Sequence, residues 1–163
     1  LDTAESTLGL TCLHIASTAK VVELLANAKA DLNKGKNNGA AALDWHAGVN
    51  HVGQLQMLVR MKANVDHARP DGTTALFMGA QKGRFAAVSL LLQAKATVDQ
   101  CTNGGTGPLY AASQNGHAPV VELLVAAKAD VNLRNNSGHS PLSVASYYGY
   151  AAVAGILVEA GAS

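Results

Sequence analysis

Nowhere in the chain do 18 apolar residues follow one another, so no segment is long and apolar enough for a membrane-spanning helix. Nor is there a surplus of either charge: twelve Lys plus Arg face eleven Asp plus Glu, a formal net charge of +1. That balance builds no field able to concentrate phosphate or anionic lipid, which argues against nucleic-acid or membrane-surface binding. The first twenty residues, Leu1 to Lys20, lack the basic start, apolar centre and small-residue cleavage site of a secretory signal, and the chain is expected to be soluble. Cysteine is scarce, with Cys12 and Cys101 alone. Small secreted folds that depend on disulfides carry more, so these two read as thiols in a reducing, intracellular and cytoplasmic setting. Aromatic residues make up only 4% and charged residues 14% of the 163, whereas 48% are hydrophobic. One packed domain spanning 1–163 is expected, not a disordered tail.

What is present in abundance is repetition. Gly39 to Asp66 reads GAAALDWHAGVNHVGQLQMLVRMKANVD, Gly72 to Asp99 reads GTTALFMGAQKGRFAAVSLLLQAKATVD, and Gly105 to Asn132 reads GTGPLYAASQNGHAPVVELLVAAKADVN, each starting 33 residues after the last. Three ladders keep this spacing: Gly39, Gly72, Gly105 and Gly138; Leu43, Leu76, Leu109 and Leu142; Lys29, Lys62, Lys95 and Lys128. The first block is three residues short, since Leu13 and Leu43 are 30 apart, and the gap falls between Ala16 and Val21. Either its inter-helix turn is truncated or residues are missing from it. Repeats are placed at about 6–35, 36–68, 69–101, 102–134 and 135–163, with Leu1-Asp2 as the tail of one before.

Each block predicts a turn, a short helix, a second turn and another helix. In the fourth, Asn103-Gly104-Gly105 is turn chemistry, Pro108 suits the first position of one helix, and Pro119 suits the start of the next. Thr11, Thr74 and Ser140 can cap the first helix, whereas Ala41 and Gly107 at the same register cannot.

A 33-residue unit carrying T-C-L-H-I-A at Thr11 to Ala16, N-G-H at Asn115 to His117, V-V-E-L-L at Val120 to Leu124 and A-D-V-N at Ala129 to Asn132 resembles the ankyrin repeat family over nearly the whole chain. The resemblance implies an all-α solenoid: paired antiparallel helices stacked side by side, with β-hairpin loops projecting from one edge. It also implies that His51 and His117, at the inter-helix turn, tie neighbouring repeats together, while the three-residue spacing lets His14 hydrogen-bond the Thr11 cap. Where the family has a left-handed glycine after the second helix, this chain has Lys29, Lys62, Lys95 and Lys128, and only Gly161 keeps it. A fourfold shared departure points to tandem duplication. His46 stands where the family has a small alanine, with Trp45 in a leucine place, so local strain is expected in the second repeat. The last helix, Ala151 to Glu159, is rich in Val153, Ile156, Leu157 and Val158 without a polar cap, so the parent chain is expected to continue.

No catalytic constellation appears: no His-Glu-x-x-His, no Gly-x-Ser-x-Gly, and no phosphate loop, while Asn103 to Pro108 lacks the dinucleotide-binding glycine order. The six histidines fall at structural places of the repeat, His67 and His139 on loops, and no metal or cofactor is expected. Leu124 to Asn132 resembles the segments that the factor-inhibiting asparaginyl hydroxylase modifies, which would make Asn132 an acceptor; a plain repeat asparagine is the simpler reading. Asn135-Asn136-Ser137 fits a glycosylation acceptor, relevant only to a secreted chain.

Residues that differ between blocks fall on the hairpin tips and the exposed side of the first helix, a variable face on a fixed frame. They are Asn37, Asn38 and Val49; Pro70, Asp71, Thr73, Gln81 and Lys82; Asn103, Thr106, Ser113 and Gln114; Arg134, Asn136, Ser137, His139, Tyr147 and Tyr148. Members of the family use this concave strip for protein partners. Tyr147 and Tyr148, with Arg134 on the adjoining hairpin, are the candidate hot spot, because rigid amphipathic aromatics and Arg dominate interface energetics. The competing reading puts Tyr148 or Tyr150 beneath a sixth repeat. The expected function is a non-catalytic, monomeric protein-interaction module. A structural or regulatory spacer in a larger multidomain protein is the alternative, and the irregular first two repeats speak against an engineered scaffold.

Overall fold

A computed structural model describes residues 11–163. Leu1-Asp2 and the start of the first repeat lie outside the described residues. Among the described residues there are nine helices and no strand: α1 Ala19–Asn27, α2 Ala42–Gly48, α3 Val52–Arg60, α4 Ala75–Gln81, α5 Phe85–Gln93, α6 Pro108–Gln114, α7 Ala118–Ala126, α8 Pro141–Tyr147 and α9 Ala151–Glu159. The short helices α2, α4, α6 and α8 stack in one layer, and the longer α1, α3, α5, α7 and α9 stack in a second. Each pair forms an antiparallel hairpin that buries little alone, so the core is continuous across pairs. Leu58, Leu91, Leu124 and Leu157, spaced 33 apart along the second layer, are all fully buried, and Leu43, Leu76 and Leu109 do the same for the first.

The projecting loops are tight turns rather than ladder strands. Lys36 N–H donates to the Ala40 carbonyl, Arg69 to Thr73, Thr102 to Thr106 and Asn135 to His139, all at 2.9–3.0 Å. The glycine ladder falls inside these turns because each needs a positive φ: Gly39, Gly72, Gly105 and Gly138 adopt 74° to 83°. Neighbouring tips are bonded to one another. Asn103 N–H donates to the Asp71 carbonyl and Asn136 N–H to the Gly104 carbonyl, while the Asn103 and Asn136 side-chain amides reach the Pro70 and Asn103 carbonyls at 2.9 Å.

A second set of ties runs along the loops that lead from the second-layer helices into the tips. Asn33 accepts the N–H of Asn64, Asp66 that of Thr97, Asp99 that of Asp130 and Asn132 that of Ser163, every one 31 residues ahead. Asn132 is therefore a staple between units, in keeping with its plain structural reading.

The first block contains only a turn at 12–14 where the others place a seven-residue helix. Seven residues, 12–18, separate Thr11 from the start of α1, too few for that helix and its exit turn, so the shortening removes the helix itself. Thr18, at the entry to α1, then caps it by accepting the Val21 N–H at 3.3 Å. Thr74 and Ser140 cap α4 and α8 as expected. At Ala41 the tie runs the other way: Asp44, three residues on, accepts the Ala41 N–H at 2.8 Å.

All four lysines that replace glycine are left-handed: Lys29, Lys62, Lys95 and Lys128 have φ of 62°, 66°, 66° and 68°. A side chain there costs about 1 kcal/mol relative to glycine, partly offset by a cation at a helix C-terminus. Lys95→Gly and Lys128→Gly are each expected to raise the thermal midpoint by about 2–4 °C. Calorimetry on the single variants checks this, and a lowered midpoint would mean that the lysine charge outweighs the backbone strain.

Candidate interaction surface

The tips and the first-layer helices form one strip, and among the described residues recesses open on it at two places. The larger, about 320 Å³, lies between α6 and α8 and is lined by Tyr110, Gln114, His139, Ser143, Val144, Tyr147 and Tyr148. The C-terminal end of α8 presents Tyr147, 83% exposed, against the edge of Tyr148, with ring centroids 5.1 Å apart. Tyr148 in turn tilts against Tyr150 at 6.2 Å. Tyr150 is held from behind: a Cβ on Gly116 would lie 2.7 Å from its ring, so the glycine is what lets the tyrosine lie flat on the preceding hairpin. Tyr150 thus packs backward onto the preceding unit, while Tyr147 and Tyr148 are left for the surface. Burial, with the neighbouring Tyr148, holds the Tyr110 phenol at the cleft floor above its usual pKa.

Pro141 and Leu142 open α8 behind the Ser140 cap, and Ser143 completes that cap by accepting the Ser140 N–H at 2.9 Å. This rigid start fixes the rotation of α8 and hence the face on which Tyr147 emerges.

The sequence-derived residues divide by what their side chains do. Gln114, His139, Tyr147 and Tyr148 come together in the cleft, and Lys82 lines the second recess with Val49. Asn37, Asn38 and Asp71 are exposed on tips, where Asn38 and Asp71 accept the N–H two residues on. Asn103 and Asn136 are exposed but tie one tip to the next, and Arg134 folds back to the Gly138 carbonyl at 2.9 Å. Ser137 N–H and His139 N–H both donate to Asn135 Oδ1, which occupies the side chain that the glycosylation reading needs. Thr106 and Gln81 are half-buried, the latter offering its carbonyl to His117 at 3.1 Å. Two residues turn inward. Thr73 is 6% exposed, and Ser113 is fully buried with its hydroxyl donating to the Leu109 carbonyl at 2.8 Å. Ser113 shares its register with the buried Ala47 and Ala80, so stacking against the neighbouring helix, not polarity, decides where it points.

The second recess, about 180 Å³, lies between α2 and α4 and is lined by Asp44, Trp45, Gly48, Val49, Arg69, Met78 and Lys82. Trp45 is 38% exposed with Lys36 Nζ 4.1 Å above its ring. Sequence reasoning treated Trp45 as a leucine replacement and passed over Met78. Their shared register, 33 residues apart on the same face of successive helices, was the available signal.

Beneath this recess Asp44 is fully buried, 3.6 Å from Arg69 Nε. Burial pushes its carboxyl up to about 6, against the opposing pull of the Ala41 N–H and the Arg69 charge. Asp44 Oδ1 and Arg69 Nε are the buried side-chain polar atoms without a hydrogen-bond partner among the described residues. The second unit thus holds a buried acid against a buried guanidinium nitrogen, both with hydrogen-bonding capacity unmet among the described residues. His46 is accommodated, because the missing first helix leaves room that its ring fills. His46 Nε2 donates to the Leu13 carbonyl at 2.9 Å, and its Nδ1 lies 3.2 Å from His51 Nδ1. His14, also buried, meets the Thr11 hydroxyl at 2.9 Å and donates through Nε2 to the Ala40 carbonyl at 2.8 Å. The inter-helix histidine ties neighbours at His117 but not at His51, which turns to His46 of its own unit, where the preceding block has no first-layer helix to offer a carbonyl. Gln54 reaches the Ser17 carbonyl in its stead, at 2.9 Å.

Among the described residues no group of three or more His, Cys, Asp or Glu is placed to hold a metal ion, and no helix is long and apolar enough to cross a membrane. Cys101 donates to the Asp99 carbonyl, and burial pushes its thiol pKa up, away from nucleophilic character.

Stacked helix pairs, tip-to-tip bonds and a 33-residue register define a helical repeat solenoid. The family description for ankyrin repeats in three copies matches residues 45–135 and 76–163, and that for a single ankyrin repeat matches residues 8–37. The chain belongs to the ankyrin repeat family, whose repeats are generally protein-interaction modules without catalysis of their own. Comparison with curated proteins returned no match.

Proposed function

We propose that this chain is a non-catalytic, monomeric binding module, one domain of five repeats, that presents the strip of tips and first-layer helices as a concave surface to a partner protein. The observation that carries this reading is the cleft between α6 and α8. Tyr147 is 83% exposed there beside Tyr148, on a helix whose start is capped and whose neighbouring tyrosine is locked in place. A monomer that exposes rigid aromatic surface at a recess has affinity already prepared, because few rotamers are lost on binding. Gln114 and His139 supply polar groups at the rim.

The test is selection of a displayed protein-domain library on the purified chain, counter-selected on a Gln114→Ala, Arg134→Ala, Tyr147→Ala variant whose fold is checked by circular dichroism. Binders lost on the variant, with affinities at least about 30-fold weaker as for a true hot spot, are expected. Binders indifferent to these changes would remove the cleft from the site, and no binders at all would favour a spacer role.

A further inference from the structure

The recess at Trp45 differs in chemistry from the tyrosine cleft. Its walls are Trp45, Val49 and Met78, two of them more than a third exposed. Lys36, Arg69 and Lys82 stand around it, and Arg84, bonded to the Gly48 carbonyl at 3.1 Å, flanks its far end. Lys36, Lys82 and Arg84 make no ion pair among the described residues, where the pairs formed are Lys20–Glu23 and Arg69–Asp44. Asp44 supplies one carboxylate beneath two cations, and it is fully buried.

Charge is sorted along the rest of the fold as well. Glu23, Glu122 and Glu159 lie on second-layer helices, and Asp31, Asp66, Asp99 and Asp130 lie on the loops that leave that layer. On the strip itself, among the described residues, the exposed acid is Asp71, already accepting the Thr73 N–H. Among the described residues, cations therefore outnumber exposed acids around this apolar recess, although the chain as a whole is near neutral. Three or four charges are too few to follow a phosphate backbone, and the apolar floor would be wasted on one.

Resting on the reading of the strip as a protein-binding surface, we propose that the Trp45 recess docks an extended acidic segment of the partner. One apolar side chain of that segment sits against Trp45, Val49 and Met78 while flanking carboxylates meet Lys36, Arg69 and Lys82. Lys36 is placed to gain from a carboxylate: burial first, and then the Arg69 charge, hold its pKa below the ordinary lysine value, with the buried Asp44 carboxylate opposing them in part. The apolar contact supplies affinity and the charges supply choice of partner and on-rate. Two helix steps separate this recess from the tyrosine cleft, about 20 Å at ordinary interaxial distances. One extended partner segment reaches both.

The test pans a displayed random heptapeptide library on the full chain and reads binding of the enriched peptides by fluorescence of Trp45, the one tryptophan present. Peptides pairing Asp or Glu with Leu, Ile, Phe or Met are expected. Their affinity should drop about tenfold on Lys82→Glu and on Val49→Asp, and again when salt rises from about 0.05 to 0.5 M. Both substitutions are at exposed positions, so retained helicity with lost binding isolates the recess. Enriched peptides with no acidic bias, or equal displacement by an oligonucleotide of matching charge, would overturn the proposal. Binding lost on Tyr147→Ala but not on Lys82→Glu would overturn it while leaving the strip as an interaction surface; indifference to both sets would end both readings.

Discussion

Replacing His46 with alanine is expected to lower the thermal midpoint by about 6–12 °C, although Ala112 and Ala145 occupy the same register in later units. At those positions a full first-layer helix stands alongside, and a methyl group fills the space. At His46 the neighbour is the turn at 12–14, and the imidazole ring closes the gap. Truncation leaves a cavity, orphans the buried Leu13 carbonyl and strips His51 of its partner. Loss of that kind costs about 3 kcal/mol. Because stacked repeats couple mainly to their neighbours, the damage should concentrate in the first two units. Calorimetry gives the midpoint, and Trp45 fluorescence, on the same helix, should report an early local transition. An unchanged or raised midpoint would mean that residues 11–18 contribute nothing to the stack.

The same junction should make stability depend on pH in two opposed ways. Burial holds both His14 and His46 below the ordinary imidazole value, more than their bonds to the Ala40 and Leu13 carbonyls restore, and the charges of Lys36, His46 and His51 add to the depression. Such an imidazole takes up its proton more readily when unfolded. Its contribution is complete above about pH 6.5 and is lost as pH falls from there through the folded-state values. Asp44 acts in the other direction. Its carboxyl, raised from 3.8 to about 6, binds its proton more readily when folded, so a penalty present above pH 6 is relieved as pH falls from 6 to 4. Arg69 and His67, whose charges favour the ionised carboxylate, limit that relief.

The native protein should therefore lose stability only gently between pH 6.5 and 4.5. Asp44→Asn, which cannot titrate, should steepen the fall, by up to about 1.4 kcal/mol per pH unit for the proton no longer gained. Urea unfolding at pH 7, 6, 5 and 4.5 measures both curves. Parallel curves would show that Asp44 keeps an ordinary pKa.

Much of the fold was legible from the chain because a repeat announces itself through period. Leucines 33 apart could only be buried between units, and the left-handed lysines could be inferred from the glycine they replace. The tyrosine cleft was half legible. Tyr147 and Tyr148 stood out as aromatics in a variable register, but Tyr110 and Val144, which complete the recess, look like ordinary core residues in one dimension. Ser113 misled for the converse reason, since a hydroxyl that bonds back to its own helix buries as readily as alanine.

Sequence alone determined the family, the register and the helix pairs of the later blocks, because each is a property of spacing along the chain. Tertiary structure alone decided that three absent residues cost the first block a whole helix, that His46 fills the space left, and that Asp44 is buried with an unpartnered oxygen. It also decided which cations share one apolar recess. Those outcomes depend on what stands beside a residue in the next unit, and period fixes where neighbours fall without fixing how their side chains fill the space between.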